Sequence, residues 1–349
     1  MRRSVLFSAA LLPLSAVWLS EADDRGRRAQ AAAGRASTVM VGDAEVTTVR
    51  QITRAFNIAD ETLGGGHGRD AVVQYLATDV AAYLRGRFRS DETRQAMYGA
   101  AAELAYLAGF KAHDMQLEGI AQRYYSHALQ LAHQTGDRAH PSWVLRILSH
   151  QALDLKQSSG AADLAEHAWQ LARGRVSPAT EALYAISSAR AHAAAGDKKA
   201  AARAIHQAEE GVAGEINDVP SWAAIVGNPA ATVRSNAGKT FTALGDHAEA
   251  ETRFATSASL RSAEGLRRIY ALDLTQVAEA QAAQGRADEA CRTWAKAFDQ
   301  MPGVNSGRHR AAIGRARGHL RPYARRRVPG ATTALDRSRE LLTQSSATS

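Results

Sequence analysis

The chain has 349 residues, 45% of them hydrophobic, a formal net charge of +8 at pH 7 and one cysteine. That length suits two or three average domains or one elongated repeat array, and the lone Cys291 excludes an intramolecular disulfide framework and a thiolate metal cluster. Alanine is abundant, proline is rare and clusters of Val, Ile and Thr are few, so the composition predicts an all-α protein.

At the N-terminus, Arg2 and Arg3 precede an apolar run over residues 4–19, and Ser20-Glu21-Ala22 reads as a small-residue cleavage site. Pro13 interrupts the run, which is too short to span a membrane, where about 20 apolar residues are needed. A polar, Ala/Arg-rich linker follows over residues 23–42. The chain is read as cytoplasmic, with export through a leader at residues 1–22 as the alternative. The organisation expected is an apolar segment and linker over 1–44, then one α-solenoid over 45–345. Within it, 45–94 form N-terminal capping helices, 95–303 the repeats and 304–345 a basic C-terminal cap.

Residues 63–70 read LGGGHGRD, with four glycines in five positions. The stretch has neither the lysine nor the terminal hydroxyl of a phosphate loop, and no strand leads into it. Helical patterns precede it over 47–63 and follow it over 70–84, so it is read as the hinge of a capping hairpin, with Gly64 ending the first helix.

From residue 95 one frame recurs five times: a small residue, an alanine 12 positions on, then residues 4 and 3 further. The copies are Gly109, Ala121, Tyr125, Ala128; Ser149, Ala161, Ala165, Ala168; Ala189, Ala201, Ile205, Ala208; Gly238, Ala250, Phe254, Ser257; and Ala278, Ala290, Trp294, Ala297. The alanine anchors are spaced 40, 40, 49 and 40 residues apart. Each frame suits a helical hairpin in which two small residues let the helices close, while the bulky residue fills the gap towards the next repeat. Gly196, Gly245 and Gly285 occupy the turn five residues before the anchor, and Pro302 stops the last hairpin. In this place the second repeat has Lys156.

The pattern resembles the tetratricopeptide repeat, most clearly in SNAGKTFTALGDHAEAETRFATSA (235–258) and VAEAQAAQGRADEACRTWAKAFDQMP (277–302), although the period of 40 exceeds the family's usual 34. The stretches GGGHGRDAVVQYLATDVAAYLRG, AAAELAYLAGFKAHDMQLEGIAQRYYSHALQLAHQTGDRA and VLRILSHQALDLKQS resemble the sensor half of actinobacterial Cro/C1-type helix-turn-helix transcriptional regulators. That likeness runs from Val46 to about Pro302. It implies a sensor that passes peptide or protein binding on to DNA binding, and an Arg-Arg-plus-apolar segment placed internally rather than as a leader. Only about 40 residues precede the likeness here, too few for a DNA-reading domain. The output is therefore expected from a DNA-binding partner protein, or from a region upstream should Met1 not be the true start.

No nucleophile elbow, His-Glu-x-x-His motif or histidine cluster at metal-ligand spacing is present, and the chain is read as a non-enzyme needing no cofactor and no metal. Its function is read as protein or peptide binding. In tetratricopeptide arrays the first helix of each repeat lines a concave groove. That register implies Tyr106, Phe110 and His113 in the first repeat, Arg146 and His150 in the second, Arg190 in the third, Lys239 in the fourth and Glu279 in the fifth. Aromatic residues followed by cations suit a peptide with an acidic or carboxylate end, which arginine grips through two hydrogen bonds. Between Gly303 and Leu335 there is no acidic residue, while Arg308, Arg310, Arg315, Arg317, Arg321, Arg325, Arg326 and Arg327 crowd together. This basic patch is read as a solvated helix face, with nucleic-acid contact as the alternative. A second copy, forming a homodimer, is also left open as a partner.

Overall fold

The computed structural model describes residues 39–263 and 265–347; the leader-like segment at 1–22 and most of the linker lie outside these described residues. Among the described residues, fourteen helices account for most of the chain. Helix α1 (Asp43–Leu63) leads into α2, built of Arg69–Tyr75, a π-helical turn at Leu76–Val80 and Ala81–Leu84. Two short parallel strands, β1 (Met40–Val41) and β2 (Arg87–Phe88), tie the start of this cap to its end.

Five hairpins follow: α3 (Asp91–Asp114) with α4 (Glu118–Ala132), α5 (Ala139–Asp154) with α6 (Ser158–Ala172), α7 (Pro178–Ala194) with α8 (Lys198–Gly211), α9 (Pro229–Leu244) with α10 (His247–Ala263), and α11 (Arg267–Ala283) with α12 (Ala287–Asp299). The pair α13 (Gly307–Arg325) and α14 (Ala331–Ala347) completes the array. All five recurring frames sit at the hairpin contacts. A methyl group on Gly109 would lie 2.7 Å from the Tyr125 ring, and one on Gly238 would lie 2.8 Å from Phe254. In the second hairpin Ser149 Oγ donates to the Ala161 carbonyl at 2.8 Å. The expected role of the bulky residue needs one correction. Tyr125 and Phe254 cover the glycine of their own hairpin, whereas Trp294 reaches the next helix and stacks on His319 at 5.5 Å.

The turns share one conformation. Gln116, Lys156, Gly196, Gly245 and Gly285, each five residues before the anchor alanine, have φ of 62, 60, 82, 82 and 80°. All lie in the left-handed region, which glycine enters freely and other residues enter at a cost. The first two repeats therefore keep the turn without its favoured residue.

The solenoid curls until its ends meet. Asn305, in the connection between α12 and α13, donates its backbone N–H to Leu63 O at 2.8 Å and accepts from Gly66 at 3.0 Å. Here the glycines of LGGGHGRD gain a second role: a Cβ on Gly64 or Gly66 would stand 2.4 or 2.5 Å from Asn305. Beneath this contact lies a buried ionic cluster. Arg268 of α11 donates to Asp60 and Glu61 of α1, each at 2.9 Å, and to Asp114 of α3 at 3.0 Å. Lys111 Nζ joins it, 3.3 Å from Asp60 Oδ1. Burial opposes the charge on Arg268, but Glu61, Asp60 and Asp114 outweigh it and raise its pKa.

The 49-residue spacing in the fourth frame is an insertion between α8 and α9 that crosses the inner face. Trp222 is buried there, stacked on His140 at 5.6 Å and 5.7 Å from the Trp143 ring. Ser221 Oγ donates to Glu103 of α3, and the Ile225 carbonyl accepts from Asn57 of α1.

Candidate functional site

On the concave side the curled array forms a half-open cavity of about 730 Å³. This lies within the roughly 300–1,000 Å³ typical of ligand pockets. Its walls come from α3, α5, α7, α9, α11 and α13, with Ile225 and Val226 of the insertion closing one side. Tyr106, Phe110, His113, Arg146, His150, Arg190 and Lys239 all line it. Glu279 does not; it accepts a hydrogen bond from Arg315 of α13 at 2.9 Å, and Arg315 is the residue that reaches the cavity.

The wall is electrostatically crowded. Arg190 lies 3.6 Å from Asp154 and donates to Asn236 Oδ1 at 3.2 Å. His113 stands between Glu118 and Asp154, at 3.0 and 3.5 Å. Arg261 donates to Asp273 at 3.1 Å. His150 is hydrogen-bonded to Ser187 at 2.8 Å, and burial together with Arg190, Arg146 and Lys239 pushes its pKa well below the usual histidine value, keeping it neutral.

Among the described residues, three cations of the wall make no ion pair with a carboxylate: Arg146, Lys239 and Arg308; Asp154 and Asp273 act on Lys239, and Asp114 and Asp154 on Arg308, from further away. Arg146 is 2% exposed; its guanidinium lies 3.9 Å above the Trp143 ring, and its buried Nε has no hydrogen-bond partner. Lys239 is half-buried, and burial, with Arg190 and Arg308 nearby, pushes its pKa down to about 7. Arg308 projects from the first turn of α13 into the same space. The lining also includes the apolar side chains Ile147, Leu155, Ile269 and Leu272.

The arginine-rich stretch therefore does not act as one face. Arg308 and Arg315 turn to the cavity, and Arg310 lies 3.4 Å from Asn305 Oδ1. Arg317 is half-buried, while Arg321, Arg325, Arg326 and Arg327 are exposed. Sequence reasoning missed Glu118, Asp154, Arg261 and Asp273, as well as the course of the insertion across the inner face. Only Asp154, four residues after His150 on the same helix face, carried a signal in the spacing. Among the described residues no group of three or more His, Cys, Asp or Glu is placed to hold a metal ion, and no helix is long and apolar enough to cross a membrane.

These features define a tetratricopeptide-like helical-repeat protein with a charged inner cavity. In particular, the fold is similar to that of a Rap protein whose crystal structure is in complex with competence and sporulation factor. The TM-score is 0.50 at 13% sequence identity, and the alignment covers 88% of this chain and 99% of that one. At that identity the likeness shows the fold alone. No protein-family model matches the sequence, and no curated protein matches it.

Proposed function

We propose that this chain is a non-enzymatic regulatory receptor that captures a peptide segment in its concave cavity. The observation that carries this reading is convergence: side chains from the first helices of all five hairpins meet around one cavity with both apolar side chains and cations. Backbone and side-chain groups of a short peptide have use for both surfaces. The regulatory part is supported by the sequence likeness to the sensor halves of Cro/C1-type regulators, and by a fold shared with a Rap protein seen holding competence and sporulation factor. In this reading the bound peptide changes how the array meets a second protein, which supplies DNA binding. The cytoplasm is the proposed compartment, and N-terminal sequencing of the native protein showing Met1 or Arg2 would support it.

The test is peptide capture by the whole protein, read by mass spectrometry after elution from an unbiased tetrapeptide pool. Gln276 lines the cavity from α11. Narrowing the space with Gln276→Trp should abolish capture while leaving helicity unchanged. Equal capture by that variant would move the site elsewhere.

A further inference from the structure

The charges around the cavity do not balance, and the imbalance describes the ligand. Arg190, Arg261 and Arg315 each have a carboxylate partner, in Asp154, Asp273 and Glu279. Glu118 is taken by His113 and Gln151, and Glu61 by Arg268. Arg146, Lys239 and Arg308 have no carboxylate in ion-pair contact, one each from the second hairpin, the fourth hairpin and the C-terminal pair; Asp114 and Asp154 compensate Arg308, and Asp154 and Asp273 compensate Lys239, only from a distance. Holding unpaired cations in a partly dry space is costly, and an incoming carboxylate regains that cost through charge-assisted hydrogen bonds. The three stand on three separate helices, so a ligand bearing one carboxylate would leave at least one of them without an anionic contact.

We infer that the ligand is a short peptide carrying at least two carboxylates, an acidic side chain and a free C-terminus for example, together with an apolar residue. The carboxylates are held by Arg146, Lys239 and Arg308, and the apolar residue faces Ile147, Leu155 and Leu272. This rests on the peptide-receptor reading and narrows it. Because Arg308 belongs to the helix that follows the Asn305 closure, while Arg146 and Lys239 belong to the repeats, one anionic ligand bridges the end of the array to its middle.

The test uses the full chain, with an unbiased tetrapeptide pool offered with free C-termini and again as C-terminal amides. Retained peptides should be enriched in Asp and Glu, and each carboxylate removed should weaken retention by about tenfold, the value of one charge-assisted hydrogen bond. The double variant Lys239→Gln, Arg308→Gln should lose the acidic enrichment yet keep capturing neutral apolar peptides more weakly. Its thermal midpoint should be unchanged or raised, since a repulsion has gone. Peptides retained without acidic enrichment, or amides retained equally, would overturn this inference and spare the receptor reading. No peptide retained from either pool would end both. Citrate displacing the peptides at equal molar concentration would mean that a small free polyanion is the occupant, and would also overturn it.

Discussion

Replacing Arg268 by methionine tests whether the buried ionic cluster holds the two ends of the array together. The side chain is fully buried, and its guanidinium makes hydrogen bonds to Asp60, Glu61 and Asp114, with a fourth to the Asp60 carbonyl at 3.0 Å. Methionine fills a similar stem volume but leaves three carboxylates opposite the single cation Lys111. Removing one partner of a buried pair costs about 3–5 kcal/mol, because the remaining charge stays desolvated. Protonation or water entry at Glu61, whose pKa burial already raises, offsets part of this, so a loss of about 3 kcal/mol is expected in urea denaturation. The bonds of Arg268 run from α11 to α1 and α3, so the radius of gyration by small-angle X-ray scattering should also rise as the closure opens. Adding Asp114→Asn to the same variant should recover part of the stability. A loss below about 1 kcal/mol with an unchanged radius would refute the role assigned to the cluster.

Three further outcomes are expected. Lys239→Met should stabilise the protein in a pH-dependent way. The folded pKa is depressed to about 7 from 10.5, so the unfolded state holds the proton more tightly, and the penalty is complete below pH 7 and gone near pH 10.5. With solvent screening of this half-buried side chain, the gain should be about 2 kcal/mol at pH 6, fading as the pH rises; a gain independent of pH would contradict the argument. Gln116→Gly and Lys156→Gly should each add about 0.5–1 kcal/mol by thermal unfolding, because glycine relieves the left-handed turn that its counterparts in three repeats already occupy. Replacing Arg325, Arg326 and Arg327 together by alanine should leave stability within about 0.5 kcal/mol and peptide capture unchanged. If it instead abolished salt-sensitive retention of DNA or RNA, the basic end would be a nucleic-acid surface.

The glycines of LGGGHGRD show how far the sequence reaches and where it stops. Their spacing after one helical pattern and before another was enough to mark a hinge, because backbone freedom is a local property. Their contact with Asn305, some 240 residues away, follows from how far the array curls, which accumulates over every hairpin contact and is written in no single motif. The same division holds at the cavity. The resemblance to the tetratricopeptide register implied groove positions for Tyr106, Arg146, Arg190 and Lys239, since a repeat fixes register within its own hairpin. Whether those faces enclose a volume, which carboxylates neutralise which cations, and that Arg308 turns inward from a stretch that reads as a solvated face depended on helices far apart in sequence. The anchor spacing of 49 announced extra chain but not its course across the inner face. Side-chain period and turn chemistry are local and legible; closure, charge pairing and the walls of a cavity are sums over distant elements, and only the tertiary structure decided them.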